Sequence, residues 1–281
     1  MISFRELSQK FLTWSKDHQA HRSWEYYKNY LDMFCAFPGV AETPAMNLKP
    51  YQVQEWIDSH KDAWGNNYKA GAVVAIKRMF NWAESMGYID ANPINKMKRE
   101  QVSPRKIYMK PENYEKILSC LETGDPFREL LRFVWITGCR PQEVRHIEPR
   151  HVNLENSYIL FPKEESKGKK KARKILLNDE AKNIIINAMS NRVEGKVFLN
   201  TRGMPWTKHS ICNRMYRLSK QIGMRMFMYA ARHCYATRKL KAKHGHLEIA
   251  ATMGHSDGTM LAKVYSHIDE EDEHLRLVLA D

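Results

Sequence analysis

Three short stretches carry side chains able to manage a phosphate. In ITGCRPQEVRHI, residues 136–147, Gly138 is placed to end one helix and Pro141 to open the next. Arg140 then stands at a helix N-terminus, where free N–H groups and the helix dipole already favour an anion. A guanidinium at that point makes a bidentate phosphate clamp, although an isolated arginine beside a turn is more often a solvated one. In YAARHCYATRKL, residues 229–240, Arg232 and His233 are set among Ala230, Ala231, Tyr235 and Ala236. Small and aromatic neighbours remove the simple surface reading and leave two: a functional cation, or a core-edge arginine with an acidic partner. In MGHSDGTMLAKVYSHI, residues 253–268, Gly254-His255 is followed ten positions later by Tyr265, which sits beside Ser266 and His267. Taken alone, Tyr265 is one of 13 tyrosines and reads as an ordinary half-buried aromatic.

The elements that must position these residues follow from periodicity. Phe4, Leu7, Phe11 and Trp14 repeat at helical spacing, as do Trp24, Tyr27, Leu31 and Phe34, with Ser23 in a capping position. Residues 51–60 and 68–86 complete a set of four helices, the last with Ala72, Ile76, Met79, Phe80 and Ala83 on one face and Gly87 as its stop. Lys69, Lys77 and Arg78 are expected on the outside of that bundle. Residues 97–110, basic and without apolar period, read as a linker that also suits a strap along a phosphate backbone. Beyond it, residues 111–121, 126–137, 207–222 and 229–241 read as helices. HVNLENSYILFP and ARKILLN read as strands joined by the turn EESKGKKK. The expected fold is mainly α. Residues 1–96 form a four-helix domain, and residues 111–281 form a mostly α domain with a small antiparallel β-sheet.

Composition narrows the partners. The 281 residues carry a formal net charge of +13, which points to nucleic acid, since each neutralised phosphate releases condensed counterions. No apolar run of transmembrane length occurs, no helix pairs a broad apolar face with an all-basic one, and the N-terminus lacks a signal-peptide core. A membrane partner is therefore not expected. The five cysteines form no C-x-x-C pair, which excludes a zinc ribbon and fits a reducing, cytoplasmic setting. A two-metal nuclease needs clustered carboxylates, whereas the acids here are dispersed apart from 269–273 in the tail. No metal and no cofactor are expected.

Taken in order, the T-G-x-R-x-x-E box, the R-H helix and the G-H segment with a tyrosine ten residues on resemble the tyrosine recombinase (phage integrase) family. TGCRPQEV matches its first arginine box, ARHCYAT its second, and MGHSDGTMLAKVYSH its histidine-to-tyrosine segment. The resemblance covers the whole chain. It implies a DNA-binding core-binding domain at 1–96 and a catalytic domain at 111–281. It also implies a site-specific recombinase that cleaves and rejoins DNA through a 3′-phosphotyrosine intermediate. Tyr265 would be the nucleophile, Arg140 and Arg232 the grip on the non-bridging oxygens, and His255 a further phosphate-side donor or acid/base helper. Lys167 matches the lysine that the family places on the hairpin of its small sheet, with Lys169, Lys170 and Lys171 close by. Glu143 would brace the first box.

Tyr229 departs from the pattern, standing where many members have histidine or lysine; a phenol brings hydrogen bonds but no positive charge near neutral pH. The implied partners are double-stranded DNA and other copies of the chain, as a tetramer on two DNA sites. The implied location is the cytoplasm, at the nucleoid when DNA is bound. Helical patterning that starts at Phe4 leads to the expectation that the extra N-terminal arm-binding domain of larger integrases is absent. Two alternatives share the scaffold or the chemistry: a non-catalytic DNA-binding relative, favoured only by Tyr229, and a type IB topoisomerase-like enzyme that relaxes DNA.

Overall fold

The computed structural model describes residues 1–102, 111–166, 168–255 and 258–259. Lys167, Tyr265, most of the basic linker and the C-terminal tail lie outside the described residues. The chain divides into two compact units, Met1–Arg105 and Lys106–Asp281.

In the first unit, Ser3 starts helix α1, Phe4–His18, with a reciprocal cap: the Glu6 N–H donates to Ser3 Oγ at 3.2 Å and the Ser3 N–H to Glu6 Oε2 at 2.9 Å. Helices α2 (His21–Cys35), α3 (Pro50–Asp58) and α4 (Asn66–Ser85) follow. The i, i+3, i+4 spacing of Phe4, Leu7 and Phe11 puts them in one core with Leu31, Phe34, Ile76 and Phe80. The Phe4 and Phe34 rings meet edge to face at 5.1 Å. Two sequence expectations are corrected. Ala20, not Ser23, is the N-cap of α2 and gives no side-chain cap. Lys69, Lys77 and Arg78 are half-buried, not outside: Lys77 Nζ donates to Met97 O at 2.9 Å and Arg78 lies over the Trp14 ring at 5.8 Å. The long stems of Lys77 and Arg78 cover apolar surface while the charge keeps a partner.

The second unit is built on α6, Pro126–Thr137, capped by Asp125, whose carboxylate accepts from the Phe127 N–H at 2.8 Å. Its buried face, including Phe127, Leu130, Leu131 and Val134, forms the core of the unit. Helices α5 (Pro111–Ser119) and α7 (Pro141–His146) flank it in sequence. A three-stranded antiparallel sheet follows, in the order β1 (Val152–Asn153), β2 (Tyr158–Phe161), β3 (Arg173–Leu176). Ile159 pairs with Ile175 and Phe161 with Arg173. The expected single strand over HVNLENSYILFP is two strands, because Asn153 Oδ1 accepts from the Asn156 N–H at 2.7 Å and Ser157 takes φ 52.

Helices α8 (Asp179–Met189), α9 (Lys208–Gln221), α10 (Met228–Lys241) and α11 (His246–Met253) follow among the described residues. Neither α8 nor α11 was expected. Asn178 caps α8 through the Ala181 N–H, a signal present in the sequence. The α11 helix has only 8 residues and too little apolar period to announce itself. Helix α10 packs along α6. There the Arg238 guanidinium lies 4.0 Å over the Trp135 ring, which itself stacks on Tyr114 at 3.9 Å. Among the described residues no helix is long and apolar enough to cross a membrane.

Candidate active site

Gly138 closes α6 at φ 62, in the left-handed region that glycine enters without strain. A Cβ there would also meet Tyr235 Cδ1 at 2.5 Å. The chain thus leaves α6 tightly and Arg140 becomes the N-cap of α7. Glu143, in the first turn, accepts from the Arg140 backbone N–H through Oε2 at 2.7 Å and from Arg140 Nη1 through Oε1 at 2.7 Å. Arg140 Nη2 donates to Gly254 O at 2.9 Å, 114 positions away in the chain.

Arg232 projects from α10 and is 1% exposed. Its Nη1 donates to Gly138 O at 2.6 Å and its Nη2 to Met253 O at 2.8 Å. Nη2 also lies 2.9 Å from His255 Nε2. A guanidinium has only donors, so Nε2 is the acceptor and the ring proton of neutral His255 is on Nδ1. Arg232 Nε is buried with no hydrogen-bond partner among the described residues. Burial, and next the Arg140 guanidinium, lower the Arg232 pKa; an arginine keeps its charge regardless. The acidic-partner alternative for Arg232 is therefore replaced by carbonyl and imidazole partners.

His255 follows α11 through a Schellman turn. Gly254 takes φ 68, the His255 N–H donates to Ala250 O at 2.9 Å, and the Gly254 N–H donates to Ala251 O at 3.0 Å. Arg140, Glu143, Lys171, Arg173, Gly254 and His255 line one cleft of about 420 Å³. Burial would raise the Glu143 carboxyl, but Arg173 and Arg140 hold it below the usual range. Three guanidinium groups (Arg140, Arg173, Arg232) face this one ionised carboxylate, which leaves a net positive site suited to an anion. Among the described residues no group of three His, Cys, Asp or Glu is placed to hold a metal ion.

The structure thus brings together Arg140, Arg232, His255 and Glu143. Tyr229 lies in the first turn of α10, 43% exposed, with its ring edge-on to His233 at 5.0 Å. Lys167 and Tyr265 lie outside the described residues; of the neighbouring lysines, Lys171 lines the cleft. Sequence reasoning missed Arg173. Its signal was the strand alternation of ARKILLN, in which Arg173 shares the inward parity of Ile175 and both are buried.

Comparison with known proteins gives this geometry a family. The family described as Phage integrase family matches residues 108–272, more than half of the chain. The chain belongs to the phage integrase family. Among its relatives is tyrosine recombinase XerA of Saccharolobus solfataricus, 23% identical over 209 residues, or 73% of this chain and 65% of the relative. Tyrosine recombinase XerD of Staphylococcus aureus is 25% identical over 180 residues, 56% of this chain and 58% of the relative. The chain thus spans less than two thirds of either relative.

The mainly α fold of this phage integrase family member, with its small sheet, recurs in solved structures. The Tn1549 transposon integrase in complex with transposon right end DNA matches at TM-score 0.79 and 19% identity, over 99% of each chain. A lambda integrase tetramer bound to a Holliday junction matches at TM-score 0.75 and 14% identity, over 92% of this chain and 79% of that one.

Proposed function

We propose that this chain is a site-specific DNA recombinase that cleaves and rejoins strands through a 3′-phosphotyrosine on Tyr265. One observation carries the reading. Arg140 and His255 line one positively charged cleft, and the buried Arg232 bonds His255 through Nη2. A phosphodiester repels nucleophiles, and charge builds on its oxygens as the nucleophile attacks. Two guanidiniums set in place before that moment stabilise the charge without reorganising. Tyr265 starts with a phenol pKa of about 10, and cations beside it favour the phenolate.

Attack forms the Tyr265 Oη–phosphorus bond and breaks the bond to the 5′ oxygen, which takes a proton from Lys167. The phosphotyrosine conserves the bond energy, so a 5′ hydroxyl from a partner strand attacks it and expels the phenol without ATP. The unprotonated Nε2 of His255 suits acceptance of the phenol's proton and, once it carries that proton, donation to a phosphate oxygen. The partners proposed are duplex DNA and further copies of the chain, as a tetramer on two sites. Such work places the protein with the cell's DNA, in the cytoplasm and at the nucleoid.

The test is a nicked duplex whose short 5′-hydroxyl fragment diffuses away after attack, so that religation is blocked. The protein should form a covalent adduct stable on a denaturing gel, mapped to Tyr265, and Tyr265→Phe should abolish it while DNA binding stays. An adduct that persists in Tyr265→Phe moves the nucleophile elsewhere. No adduct on any cognate duplex leaves a non-catalytic DNA-binding member of the scaffold.

A further inference from the structure

Arg173 opens β3 on its inward face, buried to 7% exposure, where its strand neighbour Ile175 is apolar. Burying a guanidinium costs several kcal/mol unless its donors are met. The partners it finds lie on α7, on the last turn of α11 and on its own strand. Nε lies 3.3 Å from Glu143 Oε1, the same oxygen that holds Arg140 Nη1. Nη1 donates to Thr252 O at 3.0 Å and to Lys174 O at 2.6 Å. Nη2 is buried with no hydrogen-bond partner among the described residues.

The Thr252 contact completes a series. The Schellman turn satisfies the carbonyls of Ala250 and Ala251 and, among the described residues, gives the next three no backbone donor. Each of those three accepts from a different arginine on a different element: Thr252 from Arg173 on β3, Met253 from Arg232 on α10, and Gly254 from Arg140 at the start of α7. The C-terminus of α11, with its partial negative charge, therefore gathers all three guanidiniums. Arg173 also fits the backbone closely, since a Cβ on Gly254 would stand 2.7 Å from its Cζ. One residue further on is His255.

We infer that Arg173 is a positioning residue for strand cleavage. It fixes the Arg140 fork through the shared Glu143 carboxylate and fixes His255 through the end of α11. The inference rests on the recombinase reading. It goes beyond it by assigning a role to a residue that the recombinase reading leaves unused. A misplacement of about 1 Å at a catalytic group costs up to about 10²-fold in rate. The effect should therefore appear in the cleavage step and not in DNA affinity.

The experiment uses the full chain and a nicked duplex built from the DNA flanking its gene. Single-turnover adduct formation is measured at saturating protein for wild type, Arg173→Met, Arg173→Lys and Arg140→Lys. Arg173→Met should cleave about 10- to 100-fold more slowly with DNA affinity within about twofold of wild type. Arg173→Lys, which keeps the charge but not the fork, should recover part of that loss. The second substrate carries a methylphosphonate at the scissile position, which removes the phosphate charge. There the deficits of Arg173→Met and Arg140→Lys should shrink together, because both act on the grip of that charge.

Equal deficits on the two substrates, or wild-type cleavage by Arg173→Met, would overturn the inference and leave Arg173 a structural arginine. If Arg173→Met does not fold, Arg173→Lys carries the same comparison of substrates. Absence of any adduct from wild type would instead overturn the recombinase reading on which the inference stands.

Discussion

At the scale of single residues, Arg140, Arg232 and His255 were singled out by the order and spacing of three boxes, while local context dictated only the setting of the two arginines. Gly138 and Pro141 force the turn that makes Arg140 an N-cap, and small residues around Arg232 let α10 approach α6 with a guanidinium between them. Arg173 was not legible as a site residue. A basic residue opening a strand is usually an edge or solvent feature, and its parity matters only once Glu143 and α11 are known to lie beneath it. Tyr229 is the position where sequence and site disagree, and its exposure makes the disagreement testable. Tyr229→His should leave the melting temperature within about 2 °C, because surface substitutions rarely cost more than about 0.5 kcal/mol. Adduct formation should be unchanged or a few-fold faster, with the gain larger at pH 6 than at pH 8 as the imidazole takes up charge. A drop of many degrees would mean that the phenol is packed and not facing the cleft.

At the scale of elements, the helices of both units could be read from apolar period, while α8, α11 and β1 could not. The last two are short, and their stability comes from neighbours that only the fold supplies. The approach to the sheet is held by charge. His151, buried before β1, accepts the Glu148 N–H through Nδ1 at 3.1 Å and pairs through Nε2 with Glu165 at 3.1 Å. Arg150 bridges Glu148 and Glu165, and Lys196 bonds Glu148. Glu165 lies in the connection between β2 and β3, two positions before Lys167 in the sequence, so this network anchors the described start of that connection.

Its titration has one sign. Burial, then Arg150, lower the His151 pKa, so the unfolded chain takes up that proton first as pH falls. The hydrogen bond from Arg150 holds Glu165 below its usual range, and Lys196 with Arg150 brings Glu148 to about 2. Depressed carboxylates give stability above their unfolded pKa that is lost as pH falls through the folded one. Stability of the second unit should be flat above about pH 6.5 and fall from there through His151, then further below about pH 4.5 through the glutamates. Thermal melts of the full chain at pH 7.5, 5.5 and 4.0 read this directly, and His151→Gln should remove part of the upper fall, the rest belonging to His233, whose pKa burial also lowers. A melting temperature that rises on acidification would remove the network from any role in holding that connection.

At the scale of the whole molecule, the decisive quantity is the net charge of +13, spread over two units that each bury their own core. Charge of this size is a statement about the partner, and on DNA it acts through released counterions. In the first unit several cations are held over aromatic rings: Lys10 over Tyr88 at 5.5 Å, Lys16 over Trp24 at 5.9 Å and Arg78 over Trp14 at 5.8 Å. Such cations keep their charge while losing less side-chain freedom when they meet a phosphate. If both units contact the duplex, the logarithm of the binding constant should fall linearly with the logarithm of salt concentration, with a slope of about −0.9 for each phosphate neutralised. Six or more contacts would weaken binding by about 10³ or more between 50 and 200 mM salt.

Most of those contacts should be to the backbone, so non-cognate duplex should show nearly the same slope at lower affinity. The fragment 1–105, which keeps the whole of the first core, should bind with a shallower slope than the full chain, because it neutralises fewer phosphates. Fluorescence anisotropy at four or five salt concentrations measures all three slopes. A fragment that folds, shown by its helical circular dichroism, yet has no salt-dependent affinity would confine DNA contact to the second unit. A full chain whose affinity ignores salt would remove nucleic acid as the partner of this charge, whatever the cleft resembles.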